Sequence, residues 1–99
     1  MTSAEPTERL CGYRRRLLTR CDVADEVEVV AMAERTVSTF GRLDAAFNNV
    51  GVQSAAVGTA DLDGEEYDRV NATSLRGVWN CMKCEPRRMR EQGSGAIIN

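Results

Sequence analysis

The 99-residue sequence predicts an α/β fold built around a small parallel sheet. Two stretches have apolar residues at helical spacing, and each is followed by a short apolar segment without polar alternation. Helices that alternate with such strands are typical of a parallel layer with right-handed crossovers. The length allows one domain and excludes a two-domain enzyme within these residues.

The first helix is predicted to begin after Asp25 and to end before Gly41. Asp25 and Glu28 have the spacing of a capping box, and glycine is the usual residue just beyond a helix C-terminus. The apolar residues that recur at steps of three and four are Val27, Val30, Ala33, Val37 and Phe40.

The second helix is predicted to follow a capping box at Asp63 and Glu66 and to reach about Gln92, with a kink at Pro86. Two buried strands are predicted at residues 43–49 and 96–99, because both segments are short and mostly apolar. The apolar residues of the second helix are Tyr67, Val70, Leu75, Val78, Trp79, Met82 and Met89.

The N-terminal part differs in composition from the rest. Residues 1–20 are polar and arginine-rich, which indicates a mobile or unmatched segment that ends in a strand at residues 16–21, and residues 21–99 form the predicted domain. The net charge of −2 disfavours nucleic acid as a partner. No apolar run is long enough for a membrane span and no signal-like core opens the sequence, so we expect a cytoplasmic location and no membrane partner.

Histidine and cysteine content limits the chemistry. The 99 residues contain no histidine, which excludes a Ser-His-Asp triad or a histidine-containing metal site among them. Cys81 and Cys84 have Cys-x-x-Cys spacing, which allows a redox pair or half of a zinc site. They fall inside a predicted helix, however, and Cys11 and Cys21 do not form a second close pair. We therefore interpret the thiols as reduced and expect no metal site.

Five motifs follow one another in a definite order and spacing. They are Cys-Asp-Val-Ala-Asp at 21–25, Phe-Gly-Arg-Leu-Asp at 40–44, Asn-Asn-Val-Gly at 48–51, Leu-Arg-Gly-Val-Trp at 75–79 and Gly-Ala-Ile-Ile-Asn at 95–99. Together they resemble the short-chain dehydrogenase/reductase family, over the middle third of a typical member. The resemblance implies part of a Rossmann-like, doubly wound parallel sheet of order 3-2-1-4-5, in a helix-strand-helix-strand arrangement that lacks the first strands and the C-terminal half.

The resemblance also assigns cofactor-binding residues. Asp22 and Val23 correspond to the pair that holds the adenine ring, with the carboxylate accepting from the exocyclic amine. Asn49, Val50 and Gly51 belong to the turn that lets the cofactor's ribose approach, and the asparagines of this motif tie neighbouring strands together. Val50 replaces the usual alanine, so its methyl groups are expected to crowd the cofactor path.

The catalytic part of the resemblance is incomplete. Ser74 stands where the family usually has an asparagine that helps to hold a water in the proton relay, and Asn71, one turn earlier, is a possible substitute. Each is equally well explained as a polar residue near the buried end of a helix. No Tyr-x-x-x-Lys and no glycine-rich strand-to-helix turn occurs in the 99 residues.

The resemblance therefore implies an oxidoreductase that transfers hydride between NAD or NADP and a small carbonyl or alcohol substrate, homo-oligomeric in the family. The 99 residues by themselves are expected to be inactive, to bind the cofactor weakly, and to be marginally stable with an open strand edge and an exposed Trp79. The alternative is a non-enzymatic α/β module that binds a nucleotide or a partner through the helix bearing Trp79.

Overall fold

The computed structural model describes residues 7–11 and 14–99 of the chain. The predicted alternation of helices and strands from residue 25 onward is confirmed, and the fold is α/β. A 3-10 turn at Thr59–Asp61 and a π-helical segment at Ala72–Arg76 join these elements. In chain order they are β1 (Thr7–Cys11), β2 (Arg14–Leu18), α1 (Glu26–Phe40), β3 (Ala45–Phe47), α2 (Gly64–Asn71), α3 (Gly77–Gln92) and β4 (Ala96–Ile98).

Strands β1 and β2 form an antiparallel pair in which Thr7 lies opposite Leu18. The strand expected at residues 16–21 is instead Arg14–Leu18, and its partner is β1, so it belongs to a separate two-stranded sheet. Neighbouring strands along a chain pair locally at little cost in chain entropy. The predicted mobility of residues 1–20 falls partly on residues 1–6, 12 and 13, which lie outside the described residues.

Helix α1 has the predicted ends. The Asp25 Oδ1 atom accepts from the backbone N–H of Val27 at 3.0 Å, and Gly41 follows the helix in the left-handed conformation with φ of 91°. The predicted apolar face is only partly correct. Ala33 is buried, but the other buried residue is Val29, while Val27 is 76% exposed. Helix α3 packs on the side of Val29 and Ala33, so that contact decides which apolar residues are covered.

The second predicted helix is divided by the π-helical segment. Asp63 caps α2 by accepting from the Glu65 N–H at 3.2 Å, and the Glu66 carboxylate pairs with Arg69. Helix α3 continues through Pro86 and ends at Gly93, which has a φ of 83°. The departure from regular α geometry lies at Ala72–Arg76.

Strands β3 and β4 pair in parallel, with Ala45 opposite Ala96 and Phe47 opposite Ile98. The parallel pairing agrees with the prediction, but the expected burial on both faces is wrong for the residues described. Phe47 is 67% exposed and Ile98 is 63% exposed. Ala46 and Ile97, which point to the opposite face, are half buried. Burial of a strand requires neighbours on each face, and the described elements cover these strands incompletely.

The buried part of the chain lies mainly where α1 meets α3. Gln92, at the end of α3, fixes the start of the sheet by donating to the Leu43 carbonyl and accepting from the Leu43 N–H, each at 2.7 Å. Among residues 7–11 and 14–99, no helix has the length and apolar character needed to cross a membrane. The buried residues of the two helices are Val29, Ala33, Gly77, Asn80, Cys81, Glu85 and Met89.

Candidate functional site

Two segments singled out by the sequence lie against the same stretch of helix. The turn at Asp22 and Val23, which precedes α1, contacts the first residue of α3, Gly77. The loop after β3 contacts the π-helical segment through Ser74. Ser74 and Gly77 are three positions apart, so these two contacts lie about one helical turn apart.

The Asp22 side chain is part of its own turn. Its Oδ1 atom accepts from the Ala24 N–H at 3.0 Å, and the Asp22 carbonyl accepts from the Asp25 N–H at 3.0 Å. The residue is exposed, and a carboxylate offers a second oxygen for further hydrogen bonds. The turn therefore presents a carboxylate with acceptor capacity toward solvent.

Val23 is held from two directions by α3. A Cβ atom at Gly77 would lie 2.5 Å from Val23 Cγ2, so a side chain at position 77 would displace the valine. The Asn80 Nδ2 atom donates to the Val23 carbonyl at 2.8 Å. Glycine at 77 is thus needed for a close approach of helix and turn.

Asn48 links the two strands and α3. Its Nδ2 atom donates to Asn99 Oδ1 at 2.9 Å and to Glu85 Oε1 at 2.8 Å, and its backbone N–H donates to the Ile98 carbonyl. The expectation that an asparagine of this motif ties neighbouring strands is therefore confirmed for Asn48. The next residue, Asn49, is exposed at the carboxyl end of β3.

The carboxyl group of Glu85 is buried, and this burial raises its pKa, while the Asn48 hydrogen bond acts in the opposite direction. Burial also raises the pKa of Cys81 to about 11 and raises that of Cys84, and the Glu85 charge adds to both effects. Thiols in this environment stay protonated at neutral pH. This disfavours them as nucleophiles or metal ligands.

Ser74 fastens the loop that follows Gly51. Its hydroxyl accepts from the Val52 N–H at 3.1 Å and is 3.3 Å from the Val52 carbonyl, to which it donates. A Cβ atom at Gly51 would lie 3.8 Å from the Ser74 oxygen, which is an ordinary contact. Gly51 and Val50 are exposed beside this anchored segment.

Asn71 lies in different surroundings from Ser74. Its amide donates to the carbonyl of Tyr67, one turn earlier in the same helix, at 3.0 Å. It lines a surface depression together with Tyr67, Leu75 and Trp79, which are all more than half exposed. The two candidate residues for a proton relay therefore have different hydrogen-bond partners.

Among residues 16–99, the buried polar residues are Asn80 and Glu85, and neither was predicted from the sequence. Asn80 is 1% exposed and Glu85 is 7% exposed. Both interrupt apolar positions of a predicted helix, and such an interruption is the signal that points to a buried hydrogen bond. Their partners, Val23 and Asn48, are distant in the sequence, so the pairing itself was not predictable.

Comparisons with known proteins agree with this arrangement of motifs. The family model described as enoyl-(acyl carrier protein) reductase matches residues 2–99. Levodione reductase from Leifsonia aquatica is 40% identical over 83 residues, which are 84% of this chain and 31% of that protein. (+)-cis,trans-Nepetalactol synthase NEPS1 from Nepeta racemosa is 46% identical over 81 residues, or 80% of this chain and 30% of that protein. The chain thus spans about a third of the length of these relatives.

The fold agrees as well. The crystal structure of an NAD+-bound xylitol dehydrogenase superposes with a TM-score of 0.75 at 32% identity, over 78% of this chain and 30% of that one. The parallel β3–β4 pair, the turn at Asp22 and Val23, and the loop after β3 all lie within the part matched by the family model. The chain belongs to the short-chain dehydrogenase/reductase family.

Proposed function

We propose that this chain is the adenosine-binding and central-sheet part of an NAD(P)-dependent oxidoreductase that acts on a small carbonyl or alcohol. The observation that carries the proposal is the convergence of the Asp22–Val23 turn and the Gly51 loop on one stretch of helix. Family membership, and relatives whose names describe reductases, support the reaction class. A bound nicotinamide cofactor supplies the hydride acceptor or donor.

The residues present fit the adenosine half of such a cofactor. The exposed Asp22 carboxylate can accept from an exocyclic amine. The Val23 carbonyl accepts from Asn80, so the Val23 N–H is the backbone group proposed to meet the ring edge. Asn49, Val50 and Gly51 form the exposed loop that would face the ribose. A glycine-rich turn for the pyrophosphate is not part of the 99 residues, so the adenosine contacts would act without that stronger anion site.

The proposal is tested by titrating the 99-residue chain with 5′-AMP and following backbone amide shifts. We expect weak binding, on the order of millimolar, with shifts at residues 22–23 and 49–51. Asp22→Asn should weaken binding several-fold, because the amide keeps the bond to Ala24 but removes the charge. The matched control Asp25→Asn keeps the helix cap and should bind normally.

Three outcomes would contradict this proposal or its expected affinity. Absence of AMP binding would remove the adenosine site, and equal losses in the Asp22 and Asp25 variants would assign the effect to helix α1. Micromolar binding of NADH would contradict the expectation of weak binding, because it would require contacts to the pyrophosphate or nicotinamide half.

The same chain is expected to show no turnover with NAD(H) or NADP(H). A tyrosine placed four residues before a lysine does not occur in it, so the usual general acid/base is not among these residues. Ser74 is proposed to anchor the Val52 loop, and a relay role for Ser74 or Asn71 stays a prediction. Reproducible turnover that is lost in Ser74→Ala would contradict this assignment.

We propose a second copy of this chain as the partner of the exposed apolar strip that runs along α2, the π-helical segment and α3. Tyr67 is 60% exposed, Leu75 67% and Trp79 52%, and these residues line one depression. Sedimentation should show association that Trp79→Lys reduces. A concentration-independent monomer with folded structure would instead favour the alternative of a module that binds a different partner. The cytoplasmic location stays a prediction from the sequence.

A further inference from the structure

Asn80 has a hydrogen-bonding pattern that packing does not explain. The side chain is 1% exposed, and while Nδ2 donates to Val23, the Oδ1 atom is buried with no hydrogen-bond partner among the described residues. A buried amide with one unpaired oxygen is less favourable than an apolar side chain of similar size. Leucine would fill this buried position without leaving an oxygen unpaired. The bond to Val23 therefore explains why the residue is asparagine.

The bond to Val23 reaches Asp22 through one peptide unit. The carbonyl of Val23 and the N–H of Ala24 lie in the same rigid plane. Asn80 holds the carbonyl end of this plane at 2.8 Å, and Asp22 Oδ1 accepts from the N–H end at 3.0 Å. Fixing one end of the plane orients the other.

Gly77 makes this arrangement geometrically possible. It lies one turn before Asn80, and its missing side chain lets Val23 approach the helix at a distance that a Cβ atom would prevent. The turn is thereby pressed onto α3 by the valine side chain and oriented by the Asn80 amide. Both contacts come from a buried face of a regular helix.

We infer that Asn80 is a positioning residue that aims the Asp22 carboxylate at the exocyclic amine of adenine through the Val23–Ala24 peptide plane. This inference rests on the proposed adenosine site. One Asp22 oxygen is held by Ala24, so the other is directed outward as an acceptor. Without the Asn80 donor, the Val23–Ala24 peptide plane can rotate, and the Asp22 carboxylate is no longer held in one direction.

The test compares 5′-AMP with 5′-IMP, which carries an oxygen in place of the exocyclic amine. The two share the ribose and phosphate and differ at C6 and at N1, which carries a hydrogen in IMP. The ratio of their dissociation constants therefore reports the contacts that the Asp22–Val23 turn makes with this edge of the ring. We expect the chain to prefer AMP by roughly tenfold, because a carboxylate accepts from an amine and repels a carbonyl. Asn80→Leu should reduce the preference to about twofold or less, since general weakening cancels in the ratio.

Asn80→Asp is the second variant, because it keeps the shape of the side chain and removes the donor. Met82→Leu on the same helix is the matched control and should keep the full preference. Without ligand, exchange of the Ala24 amide hydrogen should accelerate in both Asn80 variants and stay unchanged in the control, while melting curves verify folding.

The outcomes separate the inference from the proposed function. A chain that prefers AMP and retains the preference in folded Asn80→Leu overturns the positioning role and leaves the adenosine site intact. A chain that binds neither nucleotide, or both equally, overturns the adenosine assignment and the inference together. If neither Asn80 variant folds, the residue is structural and the inference is wrong.

Discussion

The α1–α3 contact and the β3–β4 sheet are both apolar in sequence, yet they differ in how far they are covered. Val29 and Ala33 on α1 and Met89 on α3 are buried. Phe47 and Ile98 on the sheet are more than 60% exposed. Helix α3 also makes hydrogen bonds through the buried side chains of Asn80 and Glu85. On the sheet the backbones are paired, but the best-covered side chains are only half buried.

This difference separates two kinds of sequence information. Apolar spacing predicts which element forms, because it records the repeat of a helix or strand. It does not state what covers each face, which depends on the elements packed against it. The chain spans about a third of the length of its relatives. Exposed apolar residues on a sheet face are those that the crossover helices of a larger parallel sheet would cover.

The largest loss of stability is expected when a side chain is introduced at Gly77. Gly77→Val places a side chain against Val23 and should lower the free energy of unfolding by about 3 kcal/mol, because Val23 is short and its turn is anchored. Urea unfolding followed by circular dichroism measures the change. Gly64, at the start of α2, is the matched control, since no atom lies within 4 Å of its Cβ position and Gly64→Ala should be neutral or slightly stabilising. An undisturbed Gly77→Val protein would mean that the turn does not press against α3.

The next largest loss of stability is expected from truncating a buried helix residue, and the same truncation on the sheet gives a direct comparison. Val29→Ala removes a side chain that is 1% exposed and should cost about 2 kcal/mol. Phe47→Ala removes a larger side chain that is 67% exposed and should stay within about 0.5 kcal/mol. If Phe47→Ala costs as much as Val29→Ala, the sheet face is covered in solution. A dilution series would then identify a second copy of the chain as the cover.

Much of the fold was predictable because local signals agree with the final structure. The Asp25 and Asp63 caps, the Gly41 and Gly93 ends and the parallel pairing of two short strands follow from residue chemistry over a few positions. The π-helical segment was not predictable. It contains Ser74, which bonds to Val52 in a separate loop, and the spacing of apolar residues carries no information about that contact.

The candidate site was predictable in its residues more than in its connections. The motifs identified Asp22, Val23 and Gly51, although their role in binding stays a prediction. The spacing gave no indication that Gly77 and Asn80 support Val23 from a helix more than fifty residues away along the chain. Such long-range bonds depend on how helix and turn pack, and a single sequence contains no direct record of that packing.

The smallest expected effect is the change in stability with pH that is caused by Glu85. Its side chain joins helix α3 to the sheet through Asn48. Burial raises the pKa of Glu85 in the folded chain above its usual value, so the ionised carboxylate reduces stability above that folded pKa, and this cost disappears below about pH 4.5. Glu85→Gln keeps an oxygen for Asn48 and cannot ionise. At pH 7 this variant should therefore be more stable than the parent, by less than the roughly 2 kcal/mol expected for Val29→Ala. Near pH 4 the two proteins should be equally stable. Thermal melts of both proteins between pH 4 and 8 measure this difference.

Glu26 and Glu66 have pKa values lowered by hydrogen bonds to Lys83 and Arg69. Acid therefore removes their contribution to stability from both proteins alike, and that contribution cancels in the comparison. A Glu85→Gln protein that is less stable at pH 7 would mean that the charge on Glu85 strengthens the link to Asn48 more than its burial costs.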